Sequence, residues 1–439
     1  YSAYDNYYLG SCWYSLDGGA SIILSGCQNT TIAVSGESVH YVRVYANDSF
    51  NNIGSHTHYF TIDLTNPKIN FTSPTPTNAS TIYNNYFNIN VSSEDNSPIS
   101  TFIDFNRSLI GWWRMDDING DTIYDNSSYG NNGTNFDAKQ IDGYFGEAMS
   151  FNGINSSINF GNSSSINNFK KFTYAAWIKT YSIANSQTIF DKGDNQRLSF
   201  SDSKIFGTIK CSSGDAIAKD RWSLNNNQWY FVVMTFSNGR ISLYKDGSEV
   251  AYWMRTDCSG SQINNSNFDL KIGTSSQGYF NGLIDNAMLF SRALNSSEIS
   301  ALYAGSSPKY FFAAFTNLQN GNYTFKAYAQ DLAGNVNATE EREVKVSYGT
   351  TEITSCMDLT QANAVYTLQN PVTSIVTCFN ITADNITLNC QNWSNQIIYG
   401  DSTSGAAYYG IYSSKNNTKI INCKMMRGEE AYAEDPRYG

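Results

Sequence analysis

The stretch YVRVYANDSFNNIGSHTHYFTI (residues 41–62) decides the fold class, because it reappears as YTFKAYAQDLAGNVNATEEREVKV (residues 323–346). Each copy alternates apolar and polar residues and breaks at a polar turn, Asn47-Asp48-Ser49 in one and Gln330-Asp331-Leu332 in the other. Each then passes Asn-Asn-Ile or Gly-Asn-Val and alternates again. Period-two alternation on both sides of a short turn is the pattern of a half-buried β-hairpin. Just upstream, Ser11–Gly19 reads as another hairpin with Asp17-Gly18 at its turn, flanked by Cys12 and Cys27.

The rest of the chain agrees with an all-β reading. At 439 residues it is too long for one core, and about three domains are expected. Aromatic and charged residues each make up 15%, with 31 tyrosines, a mixture that favours strands joined by polar turns. The net charge of −10 leaves no basic patch to neutralise phosphates, so nucleic acid is excluded as a partner. No run of 18 apolar residues could span a bilayer, and no signal peptide opens the sequence.

Eight cysteines are placed pairwise: Cys12 with Cys27, Cys211 with Cys258, Cys356 with Cys378, and Cys390 with Cys423. None forms the close CxxC of a zinc site, so four disulfides are expected. There are 18 Asn-x-Ser/Thr sequons, at Asn29, Asn47, Asn70, Asn78, Asn90, Asn106, Asn126, Asn132, Asn155, Asn162, Asn264, Asn295, Asn322, Asn337, Asn380, Asn385, Asn392 and Asn416. Chance alone would give about ten in a chain so rich in Asn, Ser and Thr. The modest excess and the cysteines together indicate an exported glycoprotein of the cell surface.

The hairpin of residues 41–62 resembles the last two strands of Ig-like repeats in archaeal and bacterial surface proteins, and the Asn/Ile/Tyr-rich composition looks archaeal. That resemblance implies an Ig-like repeat lacking its first strands at 1–65 and a second Ig-like domain split into 66–108 and 308–348. Residues 109–307 then read as an insertion into one of its loops. From 349 to 439 the pattern changes to short β units, with Asn385-Ile-Thr-Leu-Asn-Cys390 and Asn417-Thr-Lys-Ile-Ile-Asn-Cys423 offset by about one coil. This resembles the opening of a right-handed parallel β-helix, of which about one and a half coils are expected. Both ends stop in mid-motif, with an acidic tail at 429–435, so the sequence reads as a piece of a longer protein. The alternative is an assembling subunit whose open sheet edge near Tyr1–Trp13 is completed by a neighbour.

The insertion resembles the laminin-G/concanavalin-A-like lectin jelly roll. The resemblance is carried in order by Gly111-Trp112-Trp113-Arg114-Met115-Asp116-Asp117, by the Asn- and Gly-rich loop 124–133, and by Phe151-Asn152-Gly153. Tyr174-Ala175-Ala176-Trp177-Ile178, Trp229–Val233, Leu243–Gly247, Gly282–Ala287 and Arg292–Tyr303 follow, the last as a short terminal helix. The fold implies that Trp177, Trp229 and Tyr244 fill the gap between two sheets. Trp253 and Tyr279 lie nearer turns and are the candidates for sugar stacking.

Members of this fold often hold Ca²⁺ with Asp, Asn and backbone oxygens, which makes calcium the candidate ion here. The resemblance points to Asp116, Asp117, Asp125, Asn152 and Asp285, with Asp116 or Asp117 facing Asp285. Asn152 stands where the family usually has Asp, and fewer carboxylates mean weaker binding. His40, His56 and His58 all lie outside this domain, which leaves it without a Ser-His-Asp relay. No strand carries the paired acids of a concanavalin-type glycosidase, and no enzymatic role is expected. The leading reading is an adhesion or glycan-binding module with glycans or other surface proteins as partners. The alternatives are a self-assembling structural subunit of a surface layer, sheath or filament and, behind it, a fragment of a carbohydrate-active enzyme.

Overall fold

The computed structural model describes residues 2–4, 8–167, 169–211, 214–220, 223–254, 258, 268–303, 309–391, 396–400 and 408–427. Strands dominate it, and the one α-helix among the described residues is Ser296–Leu302.

The N-terminal repeat is a single antiparallel sheet in the order Ile22–Leu24, Leu9–Leu16, Ser38–Asp48, Ile53–Ile62. Asp17 (φ 50°) and Gly18 (φ 72°) turn its first hairpin in the left-handed region, which glycine enters without a Cβ clash. The Cys12–Cys27 disulfide ties the hairpin's flanks. Cross-strand pairing sets Val42 opposite His58 and Val44 opposite His56, so these four side chains share one face with Tyr14.

The second sandwich has two sheets. One is Lys309–Phe315, Phe87–Glu94 and Lys68–Thr72, and the other is built on Gly321–Asp331 with Ile99–Phe105, Val336–Ala338, Arg342–Val346 and Thr81–Ile82. Its core (Ile89, Val91, Phe105, Phe311, Phe315, Phe325, Val344) therefore draws on segments about 200 residues apart in sequence. The two repeats share a built turn. Asp48 accepts hydrogen bonds from the Asn52 backbone N–H (2.9 Å) and Nδ2 (2.7 Å), and Asp331 accepts the same pair from Asn335, both at 2.9 Å. Superposing those turns matches Val42, Val44 and Ala46 to Phe325, Ala327 and Ala329. In the second repeat that face is covered by a partner sheet, whereas in the first, among the described residues, only Ala3 and the loop residue Ile32 pack on it.

Residues 109–303 form a jelly roll of a nine-stranded and an eight-stranded sheet. Between the sheets lie Trp113, Phe151, Tyr174, Phe190, Phe236 and Phe280. The strand Leu109–Trp113 pairs with Asn281–Phe290, so the first and last strands are neighbours. Trp177, Trp229 and Tyr244, expected in the gap between the sheets, face the other way. They belong to a second cluster beneath the helix with Tyr144, Phe231 and Tyr303, and Tyr144 stacks on Trp177 at 3.5 Å. The reason is phase: Tyr174, Ala176 and Ile178 point inward, which sends Trp177 outward, and this sheet is buried on both faces.

The helix begins with a capping box, in which Asn295 accepts from the Glu298 N–H (3.0 Å) and Glu298 accepts from the Asn295 N–H (2.9 Å). Arg292 then grips Glu298 with two N–H donors at 2.8 and 2.6 Å and donates to Ser108 Oγ at 3.0 Å. The jelly roll is thereby fixed to the sandwich at the point where the chain enters and leaves.

From Thr350 the chain winds through three parallel sheets of four, three and three strands. The stack is deeper than about one and a half coils, because Thr350–Ile353 and Met357–Leu359 already pair as its first level. Two disulfides join successive levels, Cys356–Cys378 (Cα–Cα 4.6 Å) and Cys390–Cys423 (4.9 Å), the separation of neighbouring strands. The fourth, Cys211–Cys258, lies in the jelly roll.

Candidate functional site

One rim of the jelly roll carries an open cleft of about 520 Å³ lined by Asn152, Gly153, Ile154, Ser182, Asn185, Ser186, Gln187, Gln277, Gly278, Tyr279 and Asn281. Its walls come from three separated segments that strand pairing brings together: Phe151 pairs with Gly282, and Thr180 with the same Gly282. Two glycines let the backbones close in. A Cβ on Gly278 (φ 138°) would lie 2.6 Å from the Ser186 carbonyl, and one on Gly153 (φ 74°) would lie 2.9 Å from Asn281 Cβ.

The floor is held by Gln187, which is buried; its Oε1 accepts the Asn281 N–H at 2.7 Å and its Nε2 donates to the Ser182 carbonyl. Tyr279 is 38% exposed, enough to present a ring face while its neighbour Phe280 anchors the strand in the core. Among the described residues every lining side chain is neutral, and none is a carboxylate or histidine. An exposed aromatic among amides and hydroxyls, on strand ends and the loops between them, suits a ligand with an apolar face and a hydroxyl rim.

Of the sequence candidates, Asn152 and Tyr279 meet in this cleft. Trp253 does not: it sits on the strand Ser248–Met254, half exposed beside Tyr252, over whose ring the Arg240 guanidinium lies at 4.1 Å. Gln187, Asn281 and Gln277 were not singled out from the sequence, and isolated amides in an Asn-rich chain give no local signal there.

The five residues expected around calcium do not gather in one place. Asn152 Oδ1 caps its own turn, accepting from the N–H groups of Ile154 (2.8 Å) and Asn155 (3.1 Å). Asp125 anchors a loop through the N–H groups of Trp112, Ser127 and Asn131, each at 2.8 Å. Asp117 accepts from Asn126 Nδ2 at 2.8 Å and shares the Arg114 guanidinium with Asp116. Asp285 is fully buried and accepts the N–H groups of Tyr144 and Phe145 at 2.8 Å. Burial pushes the carboxyls of Asp116, to about 6, and of Asp285 up, and Asp116 adds to the shift of Asp285 by like-charge repulsion. Asp116 Oδ2 and Asp285 Oδ1 are buried without a hydrogen bond. Elsewhere, Asp63, Asp95 and Asp331 bring three carboxylates within 4.8 Å of one another.

Several sequon side chains already have internal partners: Nδ2 of Asn90 donates to the Ser73 carbonyl, of Asn322 to Glu343 and of Asn337 to the Pro67 carbonyl, all at 2.9 Å. Asn264 and Asn392 lie outside the described residues.

Comparison with known proteins speaks to the same region. Residues 152–300 match the model of the family described as the Concanavalin A-like lectin/glucanases superfamily. The central unit carries that superfamily's fold. Among solved structures, this chain is similar to domain 4 of AbnA, a GH43 extracellular arabinanase from Geobacillus stearothermophilus, in complex with arabinotriose (20% identity, 45% of this chain and 98% of that one, TM-score 0.37). It is also similar to Trypanosoma rangeli sialidase (17%, 45% and 32%, TM-score 0.35) and to the receptor binding domain of botulinum neurotoxin C/D mosaic serotype (18%, 45% and 51%, TM-score 0.35). Likeness at this level transfers no ligand and no activity. A comparison with curated protein sequences finds no match.

Proposed function

We propose that this chain is a non-catalytic, glycan-binding protein of the cell surface, with the Tyr279 cleft as its sugar site. The observation that carries the reading is the neutral cleft itself, an exposed ring beside amides and hydroxyls supplied by strand ends and the loops that join them. A lining free of carboxylate and histidine favours binding over turnover. Four disulfides support export, and among the described residues no helix is long and apolar enough to cross a membrane. Glycan-array screening of the purified chain tests it, with Tyr279→Ala expected to abolish the signal. An array with no specific binder would overturn it.

Calcium enters this proposal at Asp116 and Asp285: Asp285 Oδ1 is buried without a hydrogen bond, and Asp116 Oδ2 faces the Arg114 guanidinium at 3.2 Å, which a hard cation would displace. Asp125 and Asn152 are engaged elsewhere and would not contribute. A second reading, a structural subunit, is favoured by the partly covered face of the N-terminal sheet, where Tyr14, Val42, Val44, His56 and His58 form a groove of about 430 Å³ with Ile32 of the adjoining loop. Concentration-dependent ordered assembly of the purified chain would favour it. The sandwich halves read as an Ig-like scaffold, and the C-terminal parallel coils as a β-helix.

A further inference from the structure

A second cleft, of about 670 Å³, lies where the jelly roll meets the sandwich. One wall is the strand Lys309–Phe315 and the other is the terminal helix with Gly247 and Tyr303. The sandwich strand breaks the alternation that the rest of its sheet obeys. Tyr310 stands opposite Ser92 and Phe312 opposite Asn90, and on the next strand the same rows carry Asn70 and Thr72. On a solvent face that is otherwise polar apart from the small Ala314, Tyr310 is 82% and Phe312 is 52% exposed. Neither ring is needed for the core, because Phe311, Ala313 and Phe315 face inward from the same strand.

Two residues apart on one strand, the rings lie about 7 Å from each other, a span that two adjoining sugar rings cover. The facing wall supplies hydroxyls, with Ser296, Ser297 and Ser300 projecting from the helix. Among the described residues Lys309 is the one charged member of the lining, and its Nζ donates to the carbonyls of Ala301 (3.1 Å) and Tyr303 (2.7 Å). A stable protein partner needs about 800 Å² of surface on each side, far more than two rings present. A concave junction with an aromatic strip on one side and hydroxyls on the other is of the size and character of a small-ligand site.

We propose that this junction cleft is a second, independent binding site for a neutral oligosaccharide, with Tyr310 and Phe312 as its stacking platform. Because it draws on both domains, the insertion itself creates it. The test titrates the full chain with short gluco-, manno-, xylo- and galacto-oligosaccharides up to roughly millimolar concentration, by calorimetry and saturation-transfer NMR. Three proteins are compared: the parent, Tyr279→Ala, and the double variant Tyr310→Ala/Phe312→Ala. The rings are exposed, so the double variant is expected to fold, which circular dichroism checks. The expected result is a saccharide that Tyr279→Ala still binds and that the double variant binds at least about tenfold more weakly. Three results would overturn the proposal: no saccharide binds, all binding is lost with Tyr279→Ala and unaffected by the double variant, or the double variant alters only the sedimentation of the chain. The second of these would leave the rim cleft standing, and loss in the double variant alone would leave the junction cleft standing.

Discussion

Replacing Trp112 by Ala tests whether the jelly roll and the split sandwich form one cooperative body. Trp112 is 2% exposed and sits in the cluster shared by both units. Its ring meets Phe102 edge-on at 5.1 Å and Tyr328 at 5.5 Å, both from the sandwich. Its Nε1 donates to Asn286 Oδ1 at 2.6 Å, and Asn286 Nδ2 in turn donates to Gln330 Oε1 at 2.7 Å, which carries the contact across the junction. Truncating a buried Trp to Ala costs about 3–5 kcal/mol in lost contacts and cavity. Leaving Asn286 Oδ1 buried without its donor adds about 1–3 kcal/mol, and because the two effects overlap the total should be about 4–6 kcal/mol. Trp112→Phe keeps most of the packing and loses the hydrogen bond, so about 1–3 kcal/mol is expected there. Urea unfolding gives the totals, and hydrogen exchange read by mass spectrometry locates the loss. Protection should fall together in Gly321–Asp331 of the sandwich and Trp229–Ser237 of the jelly roll. A cost for the Ala variant below about 1 kcal/mol, or a loss confined to the jelly roll, would refute the coupling.

His40 Nδ1 lies 2.7 Å from Asp17 Oδ2, and this hydrogen bond raises the His40 pKa and lowers that of Asp17. The stability they contribute is therefore present between the two folded values, lost as pH rises through the raised His40 pKa and lost as it falls through the depressed Asp17 pKa. His40→Asn should lower the urea midpoint of the N-terminal repeat most near about pH 5 and little above about pH 8, and a pH-independent effect would disprove it. Converting Cys356 and Cys378 to Ser reopens a 22-residue loop and should cost the C-terminal coils about 3 kcal/mol, read as a lower melting temperature for that region alone. If calcium occupies Asp116 and Asp285, the melting temperature should rise with added Ca²⁺ and fall with chelator, and Asp285→Asn should remove the response.

The sequence by itself determined the strand content, the repeat and the covalent pairing. Alternation in 41–62 and 323–346 needs only neighbouring residues to show, because a strand's two faces are a local property with period two. The cysteines are likewise few enough to be read in pairs, and Tyr279 stood out as a large aromatic beside a turn. What tertiary structure alone decided was which face each strand presents to what, and which residues meet. The outward turn of Trp177 followed from a helix and Tyr303 covering a sheet face that the sequence left unassigned. Asp125 and Asn152 resembled cation ligands by type, but their oxygens are taken by nearby backbone N–H groups, a competition no motif displays. Gln187 and Asn281 form one floor although 94 residues separate them. The junction cleft exists only because the loop of one domain carries another, so its two walls become neighbours when both sheets have closed.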